Sequence, residues 1–451
     1  MTLISSPVAA NSSSAADPER GSFQPRITDP LCVLLSDGSS LTARQVATQA
    51  HRSGHTVGAL SPTRLGLAGL TRHVRRLHAV PPFGQDPYGW LEAALRVVRT
   101  GRYDVMIATH EQAALLALEA PRLRELGLAL AVPSFAAMLR VQDKAAAVAT
   151  LTEVGLPQPH TIVFSDTDEL LDTVAPPLFL KAPIGTASRT VRLVRDEQSL
   201  RDAVSEFVLG GALEDGGLIA QEPAEGPLAM IQAVFDHGTL VVWHANLRTR
   251  TGPNGGCSAK LSIRPAAVEG HLQALGGALQ WHGALSLDAV LTAAGPQYID
   301  LNPRLVEPGN AWRAGIDLVA ALIAASLGLT VQPCEAVREH VRTHQLLLAV
   351  LAAAEQGRRA VARELLDAWA ARGPYTASVE ELTPRDGDPL ASLPVVAAAA
   401  ATLLAPSARR WFTDAAIASY AMTSAAWREI KARPQGEPAR PGATAHGGGA
   451  A

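Results

Sequence analysis

Cysteine is scarce in this chain. Cys32, Cys257 and Cys334 are the only three in 451 residues, and they lie far apart. An odd, scattered set offers neither a disulfide framework nor metal-ligand spacing, and it fits a reducing, cytoplasmic setting. Charge is sparse too: Asp, Glu, Lys and Arg make up 18%, for a formal net charge of −3. That balance excludes the basic surface of a nucleic-acid binder. No apolar run reaches the ~20 residues needed to span a bilayer. The first residues lack a basic start followed by an apolar core, so no secretory signal is expected. What is present is a 47% apolar, globular composition, long enough for two to four domains with sizeable cores.

Residues 1–28 are rich in Ser, Ala and Pro and read as a disordered tail, as do the Pro-, Gly- and Ala-rich residues 433–451. Between residues 29 and 135, short apolar runs at Leu31–Leu35, Thr56–Leu60, Asp104–Ala108 and Leu128–Val132 alternate with helical patterns such as Tyr88–Thr100. That alternation predicts a doubly wound parallel sheet. The loop Ser36–Ser40 caps a helix starting near Leu41. It lacks the GxGxxG of a dinucleotide site and reads as a structural turn.

Residues 136–330 form the next unit. A helix opens at Asp143-Lys144 and ends at Gly155. Strands follow at His160–Phe164 and Leu178–Lys181, then a small polar loop, Gly185–Thr190. A strand at Val191–Val194 and a helix at Ser199–Leu209 lead to Leu218–Gln221, which runs into Glu222-Pro223, where proline stops the ladder and makes a hinge. This smaller part spans about 157–222 and the larger 223–330. Met230–Asp236 and Leu240–Arg250 form a hairpin around His237-Gly238. One face of its second strand carries His244, Asn246, Arg248 and Arg250, either a solvated row or an anion site. Cys257 reads as a packed residue. Ala266–Trp281 and Ala311–Leu327 are helical, and 331–432 is Ala-rich helix packed as a cap.

The stretch Gln297–Gly309, QYIDLNPRLVEPG, organises the rest. Ile299, Leu301 and Leu305 point one way, and Asp300, Asn302 and Arg304 the other. A carboxylate, an amide and a guanidinium in one row suit a divalent metal and a phosphate; an exposed sheet edge is the alternative. Antiparallel pairing with GALSLDAV brings Asp288 beside Asp300, and two carboxylates that close repel unless a cation sits between them. Lys181, at the end of an apolar strand, needs a salt-bridge partner or a phosphate.

In this order, Asp143-Lys144, LFLKAP, GTASRT, Gln221-Glu222, the Asp288/Asp300 pair, DLNPR and AGIDL resemble the ATP-grasp superfamily, in its carboxylate–amine ligase and carbamoyl-phosphate-synthetase-like branch. The resemblance runs from about Leu31 to Leu327. It implies an α/β (α+β) ATP-grasp fold with an N-terminal doubly wound parallel-sheet domain and a C-terminal α-helical extension. It also implies roles. Lys144 and Lys181 would hold the α- and β-phosphates of ATP under a lid that includes Gly185, Thr186 and Ser188. Gln221 and Glu222 would flank the adenine, with Glu225 on the ribose. Asp288, Asp300 and Asn302 would bind Mg²⁺ or Mn²⁺. Arg304 would steady the γ-phosphate, and Arg248, Arg250 and Arg313 would grip the substrate carboxylate. The chain departs from the pattern in having Asp where relatives often have Glu at both metal positions, and a lid with one glycine.

The expected activity is ligation of a small-molecule carboxylate, through an acyl phosphate, to an amine or thiol. The alternatives are a non-catalytic ATP-binding sensor or scaffold, and a ligase held at a membrane by its C-terminal helices. A homodimer is the base expectation.

Overall fold

The structure is a computed structural model that describes residues 29–186, 189–330 and 338–433. The two tails, Ser188, Cys334 and the junction 331–337 lie outside the described residues. Strands β1 (Cys32–Leu35), β2 (Thr56–Ser61), β3 (Val74–Ala79) and β4 (Val105–Ile107) form a parallel sheet in the order β3-β2-β1-β4. Val33, Leu34 and Leu35 have no exposed surface. A short continuous apolar run is what a strand covered on both faces requires. Ser40 starts the helix Leu41–Arg52, its hydroxyl accepting from the Ala43 amide at 3.1 Å. That removes one of the unpaired donors of the first turn.

Two details of this sheet differ from expectation. Leu128–Val132 is not a ladder strand but makes one bridge, Ala129 to Val105. β3, VRRLHA, is an edge strand of mixed exposure, and its basic residues hide it from an apolar-run criterion.

The second sheet is antiparallel, with β5 (Thr161–Phe164), β6 (Leu178–Lys181), β7 (Val191–Val194) and β8 (Leu218–Gln221) ordered β5-β8-β6-β7. Phe164, Leu180, Val204 and Phe207 form its core.

The third sheet has seven strands: β9 (Leu228–Asp236), β10 (Thr239–Thr251), β11 (Cys257–Ile263), β12 (Gly283–Thr292), β13 (Gly295–Asn302), β14 (Arg342–His344) and β15 (Ser378–Glu380), ordered β13-β12-β9-β10-β11-β14-β15. The last two come from the C-terminal region, which therefore adds sheet as well as helix. The helix Val268–Leu279 packs over Phe235, Trp243 and Trp281. The helix expected over Ala311–Leu327 is split into Gly309–Arg313 and Leu318–Ser326. Gly315, at φ 94°, breaks it, and Asp317 restarts it by accepting from the Ala320 amide at 2.8 Å.

The C-terminal helices Leu346–Ala353, Arg358–Trp369 and Leu393–Leu404 build their own core around Leu347, Val361 and Val395. The helix Arg409–Tyr420 packs Phe412 on that core, and the helix Ser424–Ala432 then returns to the first sheet's core, where Trp427 is fully buried. Among the described residues, no helix is long and apolar enough to cross a membrane.

Candidate functional site

A cleft open to solvent lies where the three sheets meet, lined by Glu111, Gln142, Lys144, Thr186, Thr190, Asp300, Asn302 and Arg304. Each wall follows from local structure. Asp143 caps the helix Lys144–Val154 by accepting from the Ala146 amide at 2.7 Å. That fixes Lys144 at the first helical position, its ammonium 3.7 Å from Asp300 and donating to the Gly185 carbonyl at 3.4 Å. Lys181 ends β6. It is buried and donates to Gln221 Oε1 and to the Ile299 carbonyl, both at 2.8 Å. Burial pulls its pKa down to about 8, against the attraction of Asp300. Two lysines so placed present compact cations to one small volume.

Asp288 on β12 pairs in register with Asp300 on β13, as the sequence predicts. Burial, and then the Asp300 charge, push the Asp288 carboxyl up to about 7. Asn302 donates to Asp288 at 3.3 Å. Two carboxylates and an amide oxygen two positions along the strand make a hard-oxygen donor set, and the raised pKa marks a deficit of positive charge between them. These residues fit a divalent Mg²⁺ or Mn²⁺ ion.

Arg304 is buried beside Asn302, which accepts from it at 3.4 Å. Its main partner escaped the sequence reading. Glu111, just after β4, accepts from Arg304 at 3.1 Å and from Gln142 at 3.0 Å. Burial alone would raise the Glu111 carboxyl; the Arg304 guanidinium, with help from His110, instead holds it far below the usual carboxylate range. The signal was available as a polar run, Thr109-His110-Glu111-Gln112, at the carboxyl end of a parallel strand, where open α/β sheets bind ligands.

Thr186 is buried and within 3.4 Å of Glu111. Gly185 is needed where it stands, because a Cβ there would meet Thr190 Oγ1 at 1.9 Å. The Thr190 hydroxyl and the Arg304 Nε are buried without a hydrogen-bond partner. Both line or adjoin the cleft, so both are donors left for an anionic ligand.

Other expectations meet different surroundings. Gln221 is spent on Lys181 and on Thr161, to which it donates at 3.0 Å. Glu222 is exposed, 3.3 Å from His160, and Glu225 is exposed on the hinge. The three arginines assigned to substrate do not line the cleft. Arg250 is a two-pronged ion pair with Glu364, and Arg248 donates to the Gly255 carbonyl. Arg313 lies over Trp312 at 4.9 Å and donates to the Glu380 carbonyl at 3.2 Å. The C-terminal region supplies these acceptors for Arg250 and Arg313, and the strand pattern alone could not show it. Nor is the His244–Asn246 face solvated: both residues are buried, with His244 2.8 Å from Asn310 Oδ1. Cys257 is a packed thiol, as expected, pushed up to about 12 by burial.

Behind Arg304 sits a second buried charge cluster. Lys260 donates to Glu307 at 2.8 Å and to Glu381 at 2.6 Å. From the C-terminal region, the Tyr420 ring packs 3.7 Å from that of His110, the neighbour of Glu111. Met422 lines the cleft, and Asp414 accepts from Arg189 of the lid at 2.9 Å.

No protein-family model matches the chain, and no curated protein matches it by sequence. Solved structures do match in fold. The biotin carboxylase domain of Hydrogenobacter thermophilus 2-oxoglutarate carboxylase, solved with MgADP and bicarbonate, superposes with a TM-score of 0.55 at 18% identity, over 69% of this chain and 73% of that one. N5-carboxyaminoimidazole ribonucleotide synthetase from Thermus thermophilus gives 0.53 at 20%, over 69% and 82%. L-amino acid ligase from Bacillus licheniformis gives 0.51 at 17%, over 67% and 75%. The fold that this chain shares with these structures is the ATP-grasp fold.

Proposed function

Proceeding from that fold, we propose that this protein is an ATP- and Mg²⁺-dependent ligase that activates a small-molecule carboxylate and joins it to an amine or thiol. The observation that carries the reading is the convergence of Lys144, Lys181 and Arg304 on the in-register pair Asp288 and Asp300. Phosphate-binding cations and metal-binding carboxylates on one small volume are what phosphoryl transfer needs, since its catalysis is positioning and charge neutralisation.

Asp288, Asp300 and Asn302 would hold the divalent ion, which neutralises charge on the transferring phosphate when bound. Lys144 and Lys181 would grip the phosphates, with Gly185 and Thr186 closing over them. Arg304 would exchange its Glu111 partner for the γ-phosphate and the developing acyl phosphate. Glu111 would then be left with His110 and Gln142, so it acts as a placeholder that keeps Arg304 aimed before substrate arrives. The carboxylate and its acceptor would enter beside Met422, the residue of the C-terminal region that lines the cleft. Arg248, Arg250 and Arg313 carry no catalytic role in this reading.

The test is ADP release with ATP, Mg²⁺ and pools of carboxylic acids and amines, beside an Asp300→Ala control. Turnover that needs both pools and vanishes in the control supports the ligase. ATP binding without turnover across broad pools favours a non-catalytic nucleotide sensor.

A further inference from the structure

Just before β12, four positions ahead of Ser286, the partner of Asn302, three potential ligands come together. β9 ends in Asp236, His237 begins the turn to β10, and His282 immediately precedes β12. β9 and β12 are neighbours, with Gly283 paired to Phe235, so the sheet itself sets Asp236 beside His282. The turn is tied to this edge by the Gly238 amide, which donates to the Trp281 carbonyl at 2.7 Å. One ligand atom from each of Asp236, His237 and His282 lies within 4.8 Å of the other two.

We propose that Asp236, His237 and His282 form a binding site for a divalent transition-metal ion of the Zn²⁺ class. The proposal does not rest on the ligase reading. Two imidazoles and one carboxylate are a borderline donor set that suits zinc better than magnesium. The independent observation is His282. Its side chain is only 9% exposed, and Nδ1 is buried with no hydrogen bond, although Asp236 Oδ1 is 3.4 Å away. A buried ring nitrogen facing a carboxylate without bonding it is an unspent ligand.

The distances suit the ion. Ligands about 2.0–2.2 Å from zinc in tetrahedral array stand about 3.3 Å apart, close to the 3.4 Å between His282 and Asp236. His237 Nε2 is 3.9 Å from the same oxygen, and its ring stacks on that of His282 at 4.1 Å. An ion must lie in the plane of each ring it binds, so the His237 ring has to swing out of the stack. At 75% exposure it has room to do so. The exposed side leaves an entry path and a place for water as fourth ligand. Arg124, whose charge also reaches His282, is the repulsive neighbour, and the Asp236 carboxylate offsets it. The ion would pin the β9–β10 turn to the start of β12.

The experiment is calorimetric titration of the full chain with ZnCl₂ in excess Mg²⁺, with Co²⁺ absorption as a reporter of nitrogen ligation. One equivalent binds at micromolar affinity or tighter, with tetrahedral Co²⁺ bands. His237→Asn weakens binding by more than about tenfold. Asparagine tolerates the left-handed backbone that His237 adopts at φ 44°, so this variant keeps the turn. Asp300→Ala binds as the unaltered protein does. Absence of binding, or equal affinity in His237→Asn, overturns the site. So does loss in Asp300→Ala alone, which would put the ion at the catalytic carboxylates.

Discussion

Arg304 and Glu111 meet at 3.1 Å across the junction of the first and third sheets, each almost wholly withdrawn from water. One comes from the bend just after β13, the other from a loop of the N-terminal sheet. Removing one partner leaves the other charge buried and unpaired. Glu111→Ala therefore lowers stability by about 3 kcal/mol. Bound ATP recovers part of the loss if a phosphate takes the carboxylate's place. Urea unfolding with and without nucleotide measures this, and a variant as stable as the parent would sink the pairing argument.

Asp288→Asn removes the repulsion between the paired carboxylates, so the fold keeps or gains stability. ATP turnover falls by more than about a hundredfold, because one hard ligand and one negative charge are gone. Thermal melting and ADP release together check this. Lost stability would mean that the pair is structural.

Arg250→Met separates the two readings of that residue. Anchored on Glu364, it serves packing between the third sheet and the C-terminal helices. Its loss leaves the buried Glu364 carboxylate with the Tyr375 hydroxyl alone and costs about 2 kcal/mol or more. Turnover is unchanged. A large drop in kcat with intact stability would return Arg250 to the substrate site.

Histidines with lowered pKa help to set the acid limit, three of them deeply buried. His73, His110 and His244 are buried and each is pulled down to about 4, by burial first. Unfolding returns them to about 6.5, so between those values the unfolded chain binds protons that the folded one does not. Their stability contribution is complete above pH about 6.5 and is lost as pH falls towards 4. Buried carboxyls with raised pKa, Asp37 and Asp317 among them, pull the other way. Spectra of ring-labelled histidine give the direct check: these three stay neutral at pH 5.5 in the folded protein. Titration near 6.5 would contradict their burial.

Sequence and structure agree wherever a local signal acts alone. Ser40, Asp143 and Gly155 end or start helices where short-range hydrogen bonding says they should. The tight hairpin sets the register from Thr292↔Gly295 to Ala289↔Tyr298, and a bulge at Ile299, which a period of two does not give, then brings Asp300 opposite Asp288. Disagreement begins where distant segments decide. Glu111 and Arg304 are 193 positions apart, and no periodicity links them. Arg250 reads as an anion ligand until Glu364 arrives from the C-terminal region. His244 reads as solvated until Asn310 covers it. For His244 and Arg250 the strand alternation was legible, and what covers that face was set by tertiary packing.

β14 and β15 give the C-terminal region a consequence of its own. β11 pairs with β14 through Ala259, Lys260 and Leu261. Were the chain cut after the helix Leu318–Ser326, β11 would become an open edge with unpaired amides, and Lys260 would lose Glu381. An open edge is a template for another chain's strand. The shortened protein would tend to self-associate, so the segment that looks like an appendage is also what keeps the molecule from polymerising through its own sheet.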